Sequence, residues 1–341
     1  MTAVAPAGVA AARDVAGPVI ESLVSRLSPE LWTVAAYHLG LADARGGPPE
    51  PGKGGLGKAL RPALVLLSAR AAGSPPEQAA APAAAVELVH NFSLLHDDIM
   101  DGDEVRRHRP AAWTLFGVGA AILAGDALLA LASDALLEET APGHLDAARC
   151  LSEAVRRLIA GQGMDLAAER RPELPLADCL RIAADKTAAL MACACAIGAI
   201  HVGAPEPLVA GLTDFGEHVG LAFQLTDDLL GIWGEPEVTG KPVRADLRAR
   251  KKSLPVVAAI VAGGRPGREL RDRLADPAPL SEADLRRMAN LVEEAGGRRW
   301  AEREADARLA LADRCLASIG IPREVRAEFS AIAGFITARQ N

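Results

Sequence analysis

The chain has 341 residues, half of them apolar, with a formal net charge of −7 and only 3% aromatic residues. The acidic balance, without a basic stripe that contains aromatic residues, argues against nucleic acid as a partner and favours a small molecule. Because aromatic residues are scarce, the core must be built from Ala, Leu, Val and Ile, which suits closely packed helices. Helical periodicity continues across the midpoint without a long linker, so we expect one domain over residues 1–341.

Helical periodicity along the chain predicts an all-α protein, and no run of alternating β-branched residues indicates a strand. The predicted helices lie near residues 29–40, 58–72, 76–101, 118–139, 144–170, 176–202, 206–233, 253–263, 281–295, 297–318 and 323–339. Ser28 and Ser74, each followed by proline, and Ser281, followed by acidic residues, are typical helix starts. Residues 42–57 and 234–252 are predicted loops whose basic groups suit a lid.

The cysteines and the longest uncharged run bear on the compartment. The five cysteines are odd in number and form no CxxC pair, which predicts reduced core thiols. The run from Thr187 to Pro205 is long enough for a membrane span, but glycine and proline interrupt its end, so we expect a buried helix. The amino terminus does not resemble a secretory signal. We therefore expect a cytoplasmic protein without a transmembrane segment.

Two acidic clusters about 130 residues apart, at residues 97–101 and 227–231, each end an apolar stretch with helical spacing. Asp97 and Asp101 are four residues apart, so their carboxylates share a helix face about 6 Å apart, and Asp227 could close a cage from a facing helix. Oxygen ligands suit Mg²⁺ better than Zn²⁺, and such sites use substrate phosphates as further ligands. One acidic pair could be a solvated helix face, but two after apolar stretches indicate metal-dependent chemistry on a diphosphate.

Basic and polar motifs accompany the clusters in a fixed order. They are GKALRP at 57–62, RR at 106–107, KT at 186–187, FQ at 223–224 and GKP at 240–242. Together with the acidic clusters they resemble the trans-isoprenyl diphosphate synthases of the polyprenyl synthetase family, over about residues 57–255. The resemblance implies a large helical bundle of the isoprenoid synthase type with a central active-site cavity, and a homodimer. It is strongest to short-chain synthases of geranylgeranyl and farnesyl diphosphate.

The resemblance also implies a reaction and its residues. An allylic diphosphate ionises with the help of about three Mg²⁺ ions, for which Mn²⁺ can substitute, and isopentenyl diphosphate attacks the allylic cation. The implied metal residues are Asp97, Asp98, Asp101, Asp227 and Asp228. The leaving diphosphate would be held by Arg106, Lys186 and Lys241. Isopentenyl diphosphate would be held by Lys58, Arg61, His90 and Arg107. Polar groups near the cation would be Thr187 and Gln224, and Gln162 and Asp165 match a segment that lines the site.

Product length is predicted from the residues one turn before Asp97. The growing chain extends along this helix, so Phe92 and Ser93 can block its path. One aromatic residue beside a small one resembles synthases of the twenty-carbon product, which favours geranylgeranyl over farnesyl diphosphate. Phe92 could equally be an ordinary core aromatic residue. For His96 we expect packing or support of the acidic cluster rather than metal binding.

The chain departs from the family pattern at Gly231, where the second cluster usually ends in Asp, and at His108 and Arg109, which replace the usual glycine. Two other functions on the same fold remain open: a class I terpene cyclase and a catalytically silent regulatory subunit of a heteromeric synthase. The presence of Lys58, Arg61 and Arg107 argues against the cyclase, which has no isopentenyl diphosphate to bind. The presence of both Asp pairs argues against the silent subunit.

Overall fold

The structure is a computed structural model that describes residues 7–49, 55, 57, 59–235 and 242–337. Its α-helices are α1 (Ala7–Val24), α2 (Pro29–Leu39), α3 (Leu60–Ala71), α4 (Ala80–Asp101), α5 (Ala112–Phe116), α6 (Val118–Leu137), α7 (His144–Glu169), α8 (Leu176–Ala183), α9 (Ala189–His201), α10 (Glu206–Trp233), α11 (Ala245–Arg248), α12 (Leu254–Ala262), α13 (Gly264–Ala275), α14 (Glu282–Glu294), α15 (Gly297–Ser318) and α16 (Arg323–Thr337). A 3₁₀ turn (Pro76–Ala79) precedes α4, a π-helical turn (Ala184–Ala188) joins α8 to α9, and strands β1 (Val105–Arg106) and β2 (Arg109–Pro110) form a hairpin.

The all-α prediction is confirmed, with corrections to individual elements. Helices α1, α5, α11 and α13 and the two strands were not predicted. The predicted helix 176–202 is interrupted by the π turn, and 76–101 begins as a 3₁₀ turn. Ser281 caps α14 through a reciprocal capping box with Asp284, as expected. Ser28 occupies the N-cap of α2 without a side-chain cap, and the turn after Ser74 begins one residue late, at Pro76.

Helix α9 occupies the interior of the fold and packs against α3, α7 and α10. Its residues are small, mainly Ala and Cys, and almost all of them are buried, because small side chains let neighbouring helices approach closely. Helix α4 packs along α6, and α10 packs along α15. These contacts bury the apolar parts of α4 and α10, which leaves their carboxyl-terminal acidic clusters at the edge of the core.

Within the part of the chain that the structure describes, two segments are long and apolar enough to cross a membrane, Val118–Leu137 and Leu176–His201. The second is largely buried and contains α9, so the expectation of a core helix for this run agrees with the fold. Less than half of the first is buried, and its outer face is apolar. The five cysteines are free thiols, three of them buried (Cys179, Cys193 and Cys195) and two half-buried (Cys150 and Cys315).

Candidate active site

The first acidic cluster ends helix α4, and its carboxylates differ in exposure as the helical spacing predicts. Asp98 is only 1% exposed and accepts a hydrogen bond of 2.8 Å from Nε of Arg106. Asp97 is half-buried and Asp101 is exposed. Burial raises the pKa of Asp97 to about 6, and Asp101 adds to the rise while Lys186 opposes it. Asp97 and Asp101 therefore remain accessible, whereas Asp98 is committed to the arginine.

The second cluster on α10 divides in the same way. Asp227 is exposed, but Asp228 is 3% exposed and is held by hydrogen bonds on both oxygens. Its Oδ2 accepts from the backbone N–H of Leu254 at 2.8 Å, and its Oδ1 accepts from Nε2 of Gln224 at 2.8 Å. Burial raises the pKa of Asp228 to about 6, and Lys251, whose Nζ lies 3.9 Å from Oδ1, opposes the rise.

These contacts bear on two of the five aspartates that the resemblance implied as metal residues. Asp98 and Asp228 have carboxylates already engaged by protein donors, so the geometry favours a supporting role for them over direct metal ligation. Arg106 was expected to face the leaving diphosphate, but in this structure its guanidinium lies on Asp98, with Asp103 3.6 Å away.

Gly231 lies against a carboxylate from another helix. A Cβ added at Gly231 would lie 2.8 Å from Oδ1 of Asp246 on α11 and closer still to its other oxygen. Lys251 Nζ is 3.9 Å from Oδ2 of the same carboxylate. An aspartate therefore does stand beside this end of α10, although it comes from a later part of the chain. Sequence reasoning missed it, yet Asp246 is the sole acidic residue between positions 238 and 268.

The Lys-Thr motif lies on the π turn Ala184–Ala188. Nζ of Lys186 donates a 2.7 Å hydrogen bond to Oδ2 of Asp165 on α7. Thr187 Oγ1 donates at 2.7 Å to Oε1 of Gln224, whose amide in turn donates to the second acidic cluster. The extra residue in a π turn re-aims the side chains around it, so this turn directs Lys186 to α7 and Thr187 to α10.

Contacts on both sides fix the π turn. Nε of Arg157 on α7 donates to Oδ1 of Asp185 at 2.9 Å, and its other end reaches Oε1 of Glu217 on α10 at 3.2 Å. Gly161 lies directly under the turn, because a Cβ there would be 2.8 Å from the Cα of Lys186. The turn is therefore clamped by a charged bridge and packed on a glycine.

A chain of alternating charges connects the two acidic clusters. Lys186 is close enough to Asp97 to oppose the rise in its pKa, and it bonds directly to Asp165. Asp165 and Asp228 both help to raise the pKa of Lys251 above its usual value, against the effect of its own burial. A series of alternating charges therefore runs from α4 through α7 to α10: Asp97, Lys186, Asp165, Lys251 and Asp228.

The accessible carboxylates are of the kind that binds a divalent cation. Asp97, Asp101 and Asp227 supply carboxylate oxygens alone, the ligands that Mg²⁺ prefers, and they lie at the accessible ends of their helices. Among the residues that the structure describes, no three His, Cys, Asp or Glu side chains converge on one point to hold an ion by themselves. The residues fit a site that is completed by oxygen ligands from a substrate.

A second, basic group surrounds the middle of α4. Arg107 donates to Oδ1 of Asn91 at 3.3 Å, and Asn91 donates to Oε1 of Glu87 at 3.1 Å. Glu87 is 3% exposed, and burial raises its pKa while Arg61 and Arg107 oppose the rise. Burial and the same two arginines hold the pKa of His90 well below its usual value, so its ring is neutral. Sequence reasoning missed Glu87 and Asn91; a glutamate inside an apolar run, one turn before His90, was the available signal.

This basic group adjoins the GKALRP motif. The Cζ of Arg107 lies 3.2 Å from where a Cβ of Gly57 would stand. Arg61, in the first turn of α3, contributes to the same electrostatic environment. Lys58 and Lys241 lie outside the described residues.

The residues predicted to limit product length are buried below the first acidic cluster. Phe92 packs edge-to-face on His96, with ring centroids 4.9 Å apart. Ser93 donates to the carbonyl of His90 at 2.8 Å. Nε2 of His96 lies 3.1 Å from the carbonyl of Ile122 on α6, so the ring turns toward α6, in agreement with a packing role. Gln162, also buried, contacts Met100 on α4.

The fold is all-helical, with acidic clusters at the ends of α4 and α10 and a group of arginines beside α4, and comparison with known proteins gives the family. Polyprenyl synthetase matches residues 53–292. The chain belongs to the polyprenyl synthetase family, and it is an enzyme, a trans-prenyltransferase.

Individual relatives cover nearly the whole chain. The (2E,6E)-farnesyl diphosphate synthase of Mycobacterium tuberculosis is 48% identical over 333 residues, which are 96% of this chain and 92% of the relative. The geranylgeranyl diphosphate synthase of the same species is 45% identical over 302 residues, 88% and 85% of the two chains. A polyprenyl synthetase crystal structure from Streptomyces coelicolor A3(2) superposes with a TM-score of 0.91 at 48% identity, covering 97% and 98% of the chains.

Proposed function

We propose that this prenyltransferase condenses isopentenyl diphosphate with an allylic diphosphate to give a short all-trans prenyl diphosphate. The observation that carries the proposal is the separation of two charged groups. Acidic clusters on α4 and α10 are linked by Lys186, Asp165 and Lys251, whereas Arg61 of α3 and Arg107 of the hairpin lie beside the middle of α4. Two diphosphates of different fate require two such sites.

The acidic clusters are assigned to the allylic diphosphate. Asp97, Asp101 and Asp227 are the proposed ligands of about three Mg²⁺ ions, which supply charge stabilisation to a departing diphosphate when bound. Asp98 and Asp228 then act as supports that fix Arg106 and Gln224.

Basic residues complete the allylic site from its other side. Lys186, together with Lys241 and Arg106 by family resemblance, binds the diphosphate that leaves. A flexible ammonium group can follow a diphosphate through the reaction, whereas a fixed guanidinium favours one orientation.

The arginine group is assigned to isopentenyl diphosphate. Arg61, Arg107 and the neutral His90 are gathered around Glu87, and by resemblance Lys58 joins them. Glu87 offsets part of the positive charge of the arginines, which reduces the repulsion between them. This pocket uses hydrogen bonds and ion pairs rather than metal ions.

Thr187 and Gln224 are the proposed neighbours of the allylic cation. Their side chains are bonded to each other at 2.7 Å, so their oxygens are fixed rather than free to react. Fixed dipoles near a developing positive charge stabilise it without reorganisation. By family resemblance, the released diphosphate is the proposed base for the final proton loss. A general-base side chain is then not required.

For product length we propose geranylgeranyl diphosphate ahead of farnesyl diphosphate. Phe92 is a single aromatic residue beside the small Ser93, and it is turned onto His96. The Mycobacterium tuberculosis farnesyl diphosphate synthase is somewhat more similar to this chain than the geranylgeranyl diphosphate synthase of that species, so the proposal rests on Phe92 and Ser93. Phe92→Ala should lengthen the product distribution and Ser93→Phe should shorten it.

A homodimer is the proposed assembly. Four exposed apolar residues lie on α5 and α6: Leu115, Val118, Ile122 and Leu123. An apolar surface of this kind is suited to a second copy of the chain. We further propose that the chain forms a single domain and that the protein is cytoplasmic.

The test uses purified protein, Mg²⁺, labelled isopentenyl diphosphate and each allylic starter in turn, with chain length read by chromatography. Asp97→Ala and Asp227→Ala should each reduce turnover at least about a hundredfold, because each removes charge stabilisation of the leaving group. Arg107→Ala should instead raise KM for isopentenyl diphosphate. Formation of hydrocarbon without consumption of isopentenyl diphosphate would establish the cyclase instead, and an inert protein that activates another synthase would establish the regulatory subunit.

A further inference from the structure

The hairpin that carries the paired arginines has an unusual turn. Its strands pair Val105 with Pro110 and Arg106 with Arg109, so Arg107 and His108 form a two-residue turn. Both have positive φ angles, 51° and 59°. A two-residue turn with both central residues left-handed is normally built from Asn and Gly, because other side chains are strained there. Arg107 and His108 are neither Asn nor Gly, so this chain holds a strained turn.

One residue outside the hairpin makes several contacts with the strand that follows the turn. Tyr37, the single tyrosine of the chain, lies on α2 and is 5% exposed. Its hydroxyl donates to the carbonyl of Pro110 at 2.9 Å. The guanidinium of Arg109 stacks 4.3 Å above its ring and also donates to its backbone carbonyl. The ring is fixed from the side by Phe116, with centroids 5.5 Å apart.

The contacts of Tyr37 with the hairpin all reach β2, whereas Arg106 and Arg107, which are proposed to bind diphosphate, precede β2. Arg106 bonds to Asp98, and Arg107 reaches Asn91. Arg107 is itself one of the two strained turn residues, so the direction of its side chain depends on the turn keeping its shape. If β2 moved away from α2, the turn could relax and Arg107 would be re-aimed.

We propose that Tyr37 and Arg109 are positioning residues that hold the hairpin turn in its strained shape, so that Arg107 points into the pocket for the acceptor diphosphate. The proposal rests on the assignment of Arg107 to isopentenyl diphosphate made above. Neither residue needs to touch substrate.

The experiment measures kcat and both KM values at saturating Mg²⁺ for Tyr37→Phe, Arg109→Lys and Arg109→Ala. Arg109→Lys keeps the charge but loses the planar stack and the fork of donors, so it should raise KM for isopentenyl diphosphate about tenfold, as Arg109→Ala does. Tyr37→Phe keeps the ring and loses one hydrogen bond, so a rise of about threefold is expected. kcat and KM for the allylic substrate should stay within about twofold of the parent.

Relief of the turn strain gives a readout that simple packing would not produce. His108→Gly in the Arg109→Lys background should return KM for isopentenyl diphosphate to within about threefold of the parent, because glycine adopts a left-handed conformation without cost. Arg149→Ala, which removes an exposed ion pair on α7, is the control and should change none of these values.

The outcomes separate the two proposals. If Arg107→Ala leaves KM for isopentenyl diphosphate unchanged, the assignment of the acceptor pocket fails. If Arg107→Ala raises it but Arg109→Lys behaves like the parent, the positioning role is refuted while the pocket assignment stands. Equal losses in all kinetic constants with a lower melting temperature, without rescue by His108→Gly, would mean that Tyr37 and Arg109 only stabilise the fold.

Discussion

Gly161 and Gly163 lie two residues apart on α7, yet a methyl group added at each position should have opposite effects. At Gly161 the new Cβ would meet backbone of the π turn, 2.8 Å from the Cα of Lys186 and 2.8 Å from the carbonyl carbon of Asp185. At Gly163 it would meet nothing within 4 Å. Both residues lie inside a helix, where alanine is favoured over glycine by about 0.5–1 kcal/mol.

The magnitude follows from the distances. Carbon atoms in contact stand about 3.5–4.0 Å apart, so Gly161→Ala must move the π turn by roughly 1 Å. Overpacking of this kind costs about 1–3 kcal/mol, which exceeds the gain in helix propensity. A displacement of about 1 Å of Lys186 and Thr187 should lower kcat about a hundredfold. Gly163→Ala should instead gain about 0.5–1 kcal/mol of stability.

The measurement pairs thermal unfolding with steady-state turnover at saturating substrates. Gly161→Ala should melt below the parent and lose turnover, whereas Gly163→Ala should melt at or above it. A Gly161→Ala protein as stable and active as the Gly163→Ala protein would refute the reasoning, because the π turn would then not rest on α7.

Three further predictions concern the acidic clusters and the outer face. Gly231→Asp should lower turnover at least about tenfold, because its side chain needs the space of the Asp246 carboxylate and two like charges would then meet; unchanged turnover would show that Asp246 moves freely. Since the pKa of Asp97 is raised to about 6, protons compete with Mg²⁺ below that pH, so half-saturating Mg²⁺ should rise about tenfold from pH 7 to pH 5 and stay level above pH 7; equal values at pH 5 and pH 7 would contradict this. Leu123→Arg should give a monomer by light scattering, whereas the equally exposed Val261→Arg should not; a dimer in both would place the interface elsewhere.

Sequence reasoning recovered the helices whose periodicity is uninterrupted and missed those whose signals conflict. Helix α1 contains Pro18 in its interior, and α13 opens with Gly264 and a proline two residues later, so both read as broken segments. Tertiary packing overrides these local preferences. The hairpin was missed because its strands have two residues each and its turn lacks the Asn-Gly signal.

Part of the candidate site could likewise be predicted from the sequence, and part could not. Linear motifs named Asp97, Lys186 and Asp227, since carboxylates and lysines at helical spacing can be read from neighbouring positions. The partners of these groups could not be read in this way. Tyr37 meets Pro110 across 73 positions, and Asp246 approaches Gly231 from a segment with no helical periodicity of its own. Such contacts depend on how helices pack, which local patterns do not encode.

The composition of the chain helps to explain why the side chains of its site are precisely placed. A core poor in aromatic residues must be filled by helices in close approach, and α10 reaches α9 through glycines. Cβ atoms at Gly216 and Gly220 would lie 2.6 Å and 2.5 Å from the Cα atoms of Ala192 and Ala188. Backbones packed this closely cannot slide without clashes, so Ala188, the last residue of the π turn, is fixed relative to α10. The same close packing therefore sets the 2.7 Å hydrogen bond between Thr187 and Gln224, on which the proposed placement of fixed dipoles beside the cation depends.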